Sequence, residues 1–114
     1  MATNQYQENG RHLRVAPTSG AALSGDPGLF GILPGVAELD QDDDNMTTMD
    51  FGGVYLLAVK GEDKNGNTAV TAGDILYWDT DTLNKNVTDG VRFGYALLDV
   101  GSGATTTIPV KIGY

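Results

Sequence analysis

A chain of 114 residues with fifteen acids against seven bases carries a net charge of −8, which excludes direct binding to nucleic acid or to an anionic membrane surface, since both need a basic stripe. Its length is that of one domain, and the absence of cysteine excludes disulfides and thiolate metal sites. Sixteen glycines, about twice the usual share, stand beside many Thr and Val and favour short strands joined by tight turns over helices.

Residues 1–11 (MATNQYQENGR) are polar and lack both an apolar h-region and any periodicity. No signal peptide is expected, and the segment is predicted to be an extended N-terminal arm. From His12 the pattern alternates, with Leu13 and Val15 on one side and His12 and Arg14 on the other, which predicts a half-buried strand ending at Pro17. Residues 18–26 read as a loop of small residues. Phe30, Ile32 and Leu33 begin a second apolar segment, in which Pro34 predicts an edge or a bulge. The run DQDDDN at 40–45 is too densely charged to pack and is predicted to be a solvated loop.

The next strand is predicted over 47–60, with a bulge or bend at Gly52-Gly53. Residues 54–59 are apolar on both faces, so the strand is expected to be central and buried. Asn65-Gly66 suits a type I′ turn. Residues 75–79 (ILYWD) form a strand, with Tyr77 and Trp78 on opposite faces. A turn over 80–85 follows, and residues 86–88 are candidates to pair back. After a turn at Asp89-Gly90, residues 92–100 are again apolar on both faces. A Gly101-Ser102-Gly103 turn leads to the last strand, 105–112. There Thr106, Ile108, Val110 and Ile112 share one face, and Pro109 again signals an edge or bulge. The longest apolar run, 53–59, is far too short for a membrane-spanning helix. Strands recurring at this spacing, without a 3.6-residue period, predict an all-β, single-domain β-barrel or β-sandwich over 12–114.

Reaction chemistry is sparse. His12 is the one histidine, and it falls on the polar face of a strand, so no Ser-His-Asp arrangement is expected. No G-x-S-x-G elbow or Walker A motif occurs. Asp79 lies beside Tyr77 and Trp78, a faint echo of a glycosidase carboxylate in an aromatic cleft, but aromatics on opposite strand faces make no common platform. Asp40, Asp42 and Asp44 alternate loosely like the first ligands of an EF-hand. The sixth position is Asn45 rather than glycine and no glutamate follows at the twelfth, so a solvated loop is the better reading. The Asn-x-Thr triplets at Asn45 and Asn86 read as chance without a secretory signal. No cofactor, metal or catalytic residue is assigned.

The stretch Ala72-Gly73-Asp74-Ile75-Leu76-Tyr77-Trp78-Asp79, followed by Thr88 and by Gly94-Tyr95-Ala96-Leu97, resembles a small family of phage capsid decoration (cement) proteins. So do Ser24-Gly25-Asp26-Pro27 and the closing Val110-Lys111-Ile112, and the resemblance spans roughly 13–112. It implies a compact β-barrel-like domain with an N-terminal extension, attached to the outer surface of the virion capsid. The major capsid protein would be its partner, and the chain would act as a homotrimer at three-fold and quasi-three-fold positions. In the family-like motif, Gly73, Asp74, Tyr77, Trp78, Asp79, Gly94 and Tyr95 have structural roles. Gly73 permits positive φ, Asp74 can bond the backbone two residues on, and Gly94 permits a close approach. The chain differs in its acidic loop, 40–45, and in an insert over 61–68. A polar arm can clasp a neighbour by strand addition. This makes Asn4, Gln5, Tyr6, Gln7, Arg11 and Arg14 the candidate capsid contacts, with Tyr6 and the two arginines as anchors. The alternatives are a head–tail connector or tail-tube protein, and a calcium-assisted carbohydrate-binding module using Trp78 and the acidic loop.

Overall fold

A computed structural model describes residues 11–113. Among these residues there is no helix. The strands, in chain order, are β1 (His12–Val15), β2 (Ser19–Gly20), β3 (Pro27–Phe30), β4 (Leu33–Ala37), β5 (Thr47–Asp50), β6 (Val54–Lys60), β7 (Glu62–Asp63), β8 (Gly66–Asn67), β9 (Ile75–Asp79), β10 (Thr82–Asn84), β11 (Val91–Ala96) and β12 (Thr105–Ile112).

They form an open antiparallel sheet, β1-β5-β4-β3-β2, a closed barrel, β10-β6-β12-β11-β9, and a β7–β8 hairpin. The expected all-β barrel is therefore what the chain forms. The backbone of the barrel is the β6–β12 ladder, which runs unbroken from Thr105↔Lys60 to Lys111↔Val54. Closure comes from the single parallel bridge Leu83↔Val59. Inside lie Leu57, Val59, Leu76, Trp78, Phe93, Ile108 and Val110, and Leu29 and Val36 of the open sheet join the same core. A smaller cluster of Ala21, Ala37 and Met49 fills the open sheet, with Val15 and Phe51 packed on it.

Several expectations change. The predicted 47–60 strand is two strands in different sheets, because Gly53 takes φ +87 and turns the corner between β5 and β6. Only one face of β6 is buried. Val54 and Leu56 point outward and remain 56% and 71% exposed. The pairing-back after β9 occurs at β10 through the two-residue turn Thr80-Asp81, not at 86–88. Both turn residues have positive φ (45 and 65), the geometry of a primed hairpin turn without its usual glycine. In the β7–β8 hairpin the two residues between the strands are Lys64-Asn65, and Gly66 opens β8. β11 ends at Ala96, and Leu97 and Leu98 are exposed. Residues 18–26 include the short β2.

Pro109 and Pro34 sit within ladders. Pro109 is paired with Leu56 in the barrel interior order, so it marks neither an edge strand nor a bulge. It is tolerated because pairing with β11 stops at Val110, while the Pro109 carbonyl still accepts from the Leu97 N–H at 3.0 Å. Pro34 lies opposite Leu29 on the strand between β5 and β3, at a point where β5 no longer pairs. Thr106 shares the face of Ile108, Val110 and Ile112, opposite Val59, but lies at its exposed end.

Candidate functional site

Asn4, Gln5, Tyr6 and Gln7 lie outside the described residues. Arg11 and Arg14 lie within them, at and just after the root of the predicted arm, and both are engaged by the folded domain. Arg11 donates through Nε and Nη2 to the two carboxylate oxygens of Asp50 at 2.8 and 3.0 Å. This two-pronged geometry is the strong form of an arginine–carboxylate pair. The Asp50 side chain is almost fully buried, whereas that of Arg11 is about half exposed. Asp50 also accepts from the Gly52 N–H at 3.0 Å and from the Tyr55 hydroxyl. Burial pushes the Asp50 carboxyl up, but the hydrogen bonds from Arg11, Tyr55 and Gly52 outweigh it and hold it at about 2. Burial and the Asp50 charge push the Tyr55 hydroxyl up to about 12. One buried carboxylate thus ties the arm root to the corner between the open sheet and the barrel.

His12, expected on an exposed strand face, is half-buried and meets Glu38 with Nδ1 at 2.9 Å from the carboxylate. The ligand atoms of His12, Glu38 and Asp50 lie within 4.8 Å of one another. Both Asp50 oxygens, however, already accept from Arg11, so a cation would have to displace the guanidinium. The acidic loop is also committed in part to its own shape. Asp42 accepts from the backbone of Asp44 and Met46 at 2.9 and 3.1 Å and from Arg14. Those contacts, led by the Met46 N–H, hold its carboxyl below the ordinary range despite some desolvation. Asp40 accepts from the Ser24 N–H at 2.8 Å. Asp40 and Asp42 therefore serve as loop caps.

The motif residues are structural. Gly73 has φ +95. Asp74 bonds backward rather than forward, accepting from the Thr71 N–H at 2.9 Å and pairing with Lys85 at 3.1 Å. Trp78 points inward, donates its indole N–H to Ser19 Oγ at 2.8 Å and lies 6.2 Å from the Phe93 ring, while Tyr77 points the other way and is half-buried. Asp79 accepts from the amides of Asn84 and Asn86 at 3.3 and 2.9 Å. A Cβ on Gly94 would stand 2.1 Å from the Lys111 carbonyl oxygen. Tyr95 receives a hydrogen bond from Arg92, whose guanidinium sits 5.5 Å from its ring centre.

Sequence reasoning missed Asp50, Tyr55, Asn84 and Asn86. Asn84 and Asn86 are buried polar residues whose partners lie on turns and neighbouring strands, and no local spacing announces them. Asn86 spends its amide donors on Asp79 and Asp89. A cleft of about 390 Å³ between the open sheet and the barrel is lined by Gly20, Asp26, Pro27, Trp78 and Asp81 among others. Its tryptophan is only 6% exposed, so it offers no stacking platform for a sugar.

The outer barrel surface carries exposed apolar residues at Val54, Leu56 and Leu97. Leu56 is paired with Pro109 across the ladder, and Leu97 hydrogen-bonds to Pro109 from the other side. Val54 lies two residues from Leu56 on the same outward face. Contiguous exposed apolar surface of this kind marks contact sites.

A family model described as phage cement protein matches residues 7–112 of the chain. No curated protein and no solved structure matches it.

Proposed function

The chain belongs to the phage cement protein family, and from that membership we propose that it binds the outer surface of a phage head and stabilises the shell by bridging neighbouring major capsid proteins, as a homotrimer at three-fold and quasi-three-fold positions. The observation that carries this reading is the family match over nearly the whole chain, from the end of the arm to the last barrel strand. The geometry supports it in two ways. The cleft and the carboxylates serve the fold, while exposed apolar residues of the outer barrel and β1, an outer strand of the open sheet among the described residues, offer contact surface. A shell presents one surface many times, so modest contacts made by linked copies add up to firm retention.

The arm, residues 1–11, supplies the proposed shell contacts through Asn4, Gln5, Tyr6 and Gln7. Arg11 then acts as its anchor on Asp50, and Arg14, half exposed beside Asp42, lies on β1. Strand addition on β1 would give affinity through backbone hydrogen bonds. Deleting residues 1–10 and measuring occupancy on bare shells tests the arm. Occupancy is expected to fall strongly while the barrel still folds, and unchanged occupancy overturns this assignment.

A further inference from the structure

The apolar strip on the outer barrel differs in charge from the rest of the molecule. The chain carries −8 overall, yet the outward positions of β6 and β12 include Lys60 and Lys111 and no carboxylate. Lys60 is paired with Glu62 at 3.2 Å. Lys111 is exposed and has no ion pair among the described residues. It stands beside Val54 in the ladder, at one end of the Val54, Leu56 and Pro109 strip.

The loop at 40–45 has the complementary character. Asp43 and Asp44 are exposed and have no ion pair among the described residues, and the neighbouring Leu39 is 63% exposed. Asp42 caps the loop through the Asp44 and Met46 N–H groups. The two charges and the leucine are therefore presented on an ordered loop, which lowers the entropic cost of docking. Two chains of this net charge repel over most orientations. The strip carries the positive charge of Lys111, has no carboxylate on β6 or β12 and leaves apolar area uncovered.

We propose that this strip binds the 39–45 loop of a second copy of the chain, with Leu39 against Leu56 and Pro109, and Asp43 and Asp44 facing Lys111. The two patches differ, so the contact is head-to-tail, and such contacts close into rings when the rotation permits. The inference rests on the self-associating cement reading above and specifies the face through which copies join.

Native mass and sedimentation of the full chain, without shells, test it. The wild-type chain is expected to be oligomeric and to dissociate as salt is raised. Leu56→Glu should abolish the oligomer. Lys111→Glu, and separately Asp43→Lys with Asp44→Lys, should each raise the dissociation constant about tenfold or more. Combining all three charge changes in one chain should restore association. These side chains are exposed, so thermal melts should show every variant folded. A monomeric wild type, an oligomer indifferent to Leu56→Glu and Lys111→Glu, or failure of the combined variant to recover would each overturn the proposal. Shell binding measured in parallel separates the two readings. Wild type that decorates shells while its oligomer ignores these substitutions overturns only this contact. Wild type that ignores shells overturns the cement reading.

Discussion

At the scale of single residues, Asp50 controls more than any other polar side chain. It lies buried at the corner where the chain passes from the open sheet to the barrel, and it holds Arg11, Tyr55 and the Gly52 N–H together. Removing the carboxylate leaves the Tyr55 hydroxyl and the guanidinium without their shared acceptor, so Asp50→Ala is expected to cost about 3 kcal/mol, measured as a shift in the denaturant midpoint at unchanged slope. The same carboxyl predicts a pH dependence. Its value in the folded chain, about 2, lies below the ordinary 3.8, so the unfolded chain takes up the proton first as pH falls. The resulting stabilisation, about 2 kcal/mol, is complete above the ordinary value and is lost as pH drops toward the folded one. Asp50→Asn should flatten the acid limb of the stability curve by that amount. Tyr55 behaves oppositely: its contribution is present below the ordinary 10 and is lost as pH rises toward about 12.

At the scale of elements, the barrel depends on the approach of β11 to β12 at Gly94. A Cβ there would meet the Lys111 carbonyl oxygen at 2.1 Å, and backbone cannot yield as a flexible side chain can. Gly94→Ala is expected to cost about 3 kcal/mol or more and to lower the melting temperature markedly. Gly101→Ala, where the new carbon would meet only Ala104 Cβ at 3.8 Å, should change stability by about 0.5 kcal/mol or less. Equal effects would contradict the steric account. Gly94 was legible in the sequence as a site of close approach, and so were the bounds of β9, because ILYWD is short and flanked by turn residues. The division of 47–60 was not legible. Apolar residues on both faces of β6 look like a buried strand, but barrel curvature turns Val54 and Leu56 to the outside. The turn after β9 was legible over 80–85, but its tight two-residue form at Thr80-Asp81 was not, because a β-branched threonine rarely takes a positive φ. The Asp50 cluster was hidden because its members are separated in sequence and joined only by the fold, with Arg11 39 positions away from Asp50.

At the scale of the whole molecule, the barrel and the open sheet share one core through Leu29 and Val36, and they are further joined by the Trp78 to Ser19 hydrogen bond. Trp78→Ala would open a large void at this junction, costing about 3–5 kcal/mol, and should lower the cooperativity of unfolding as well as its midpoint. The family-like motif carried the functional direction from the sequence, whereas the exposed apolar strip of the proposed contact was not legible, because it becomes visible only when strand register is known. The cement reading is tested most directly by imaging particles saturated with the full chain beside bare shells. Density for the barrel on the outer face, repeated around the three-fold and quasi-three-fold positions and straddling neighbouring capsid subunits, is the predicted result. Particles that carry the chain only at the tail vertex, or not at all, would contradict it.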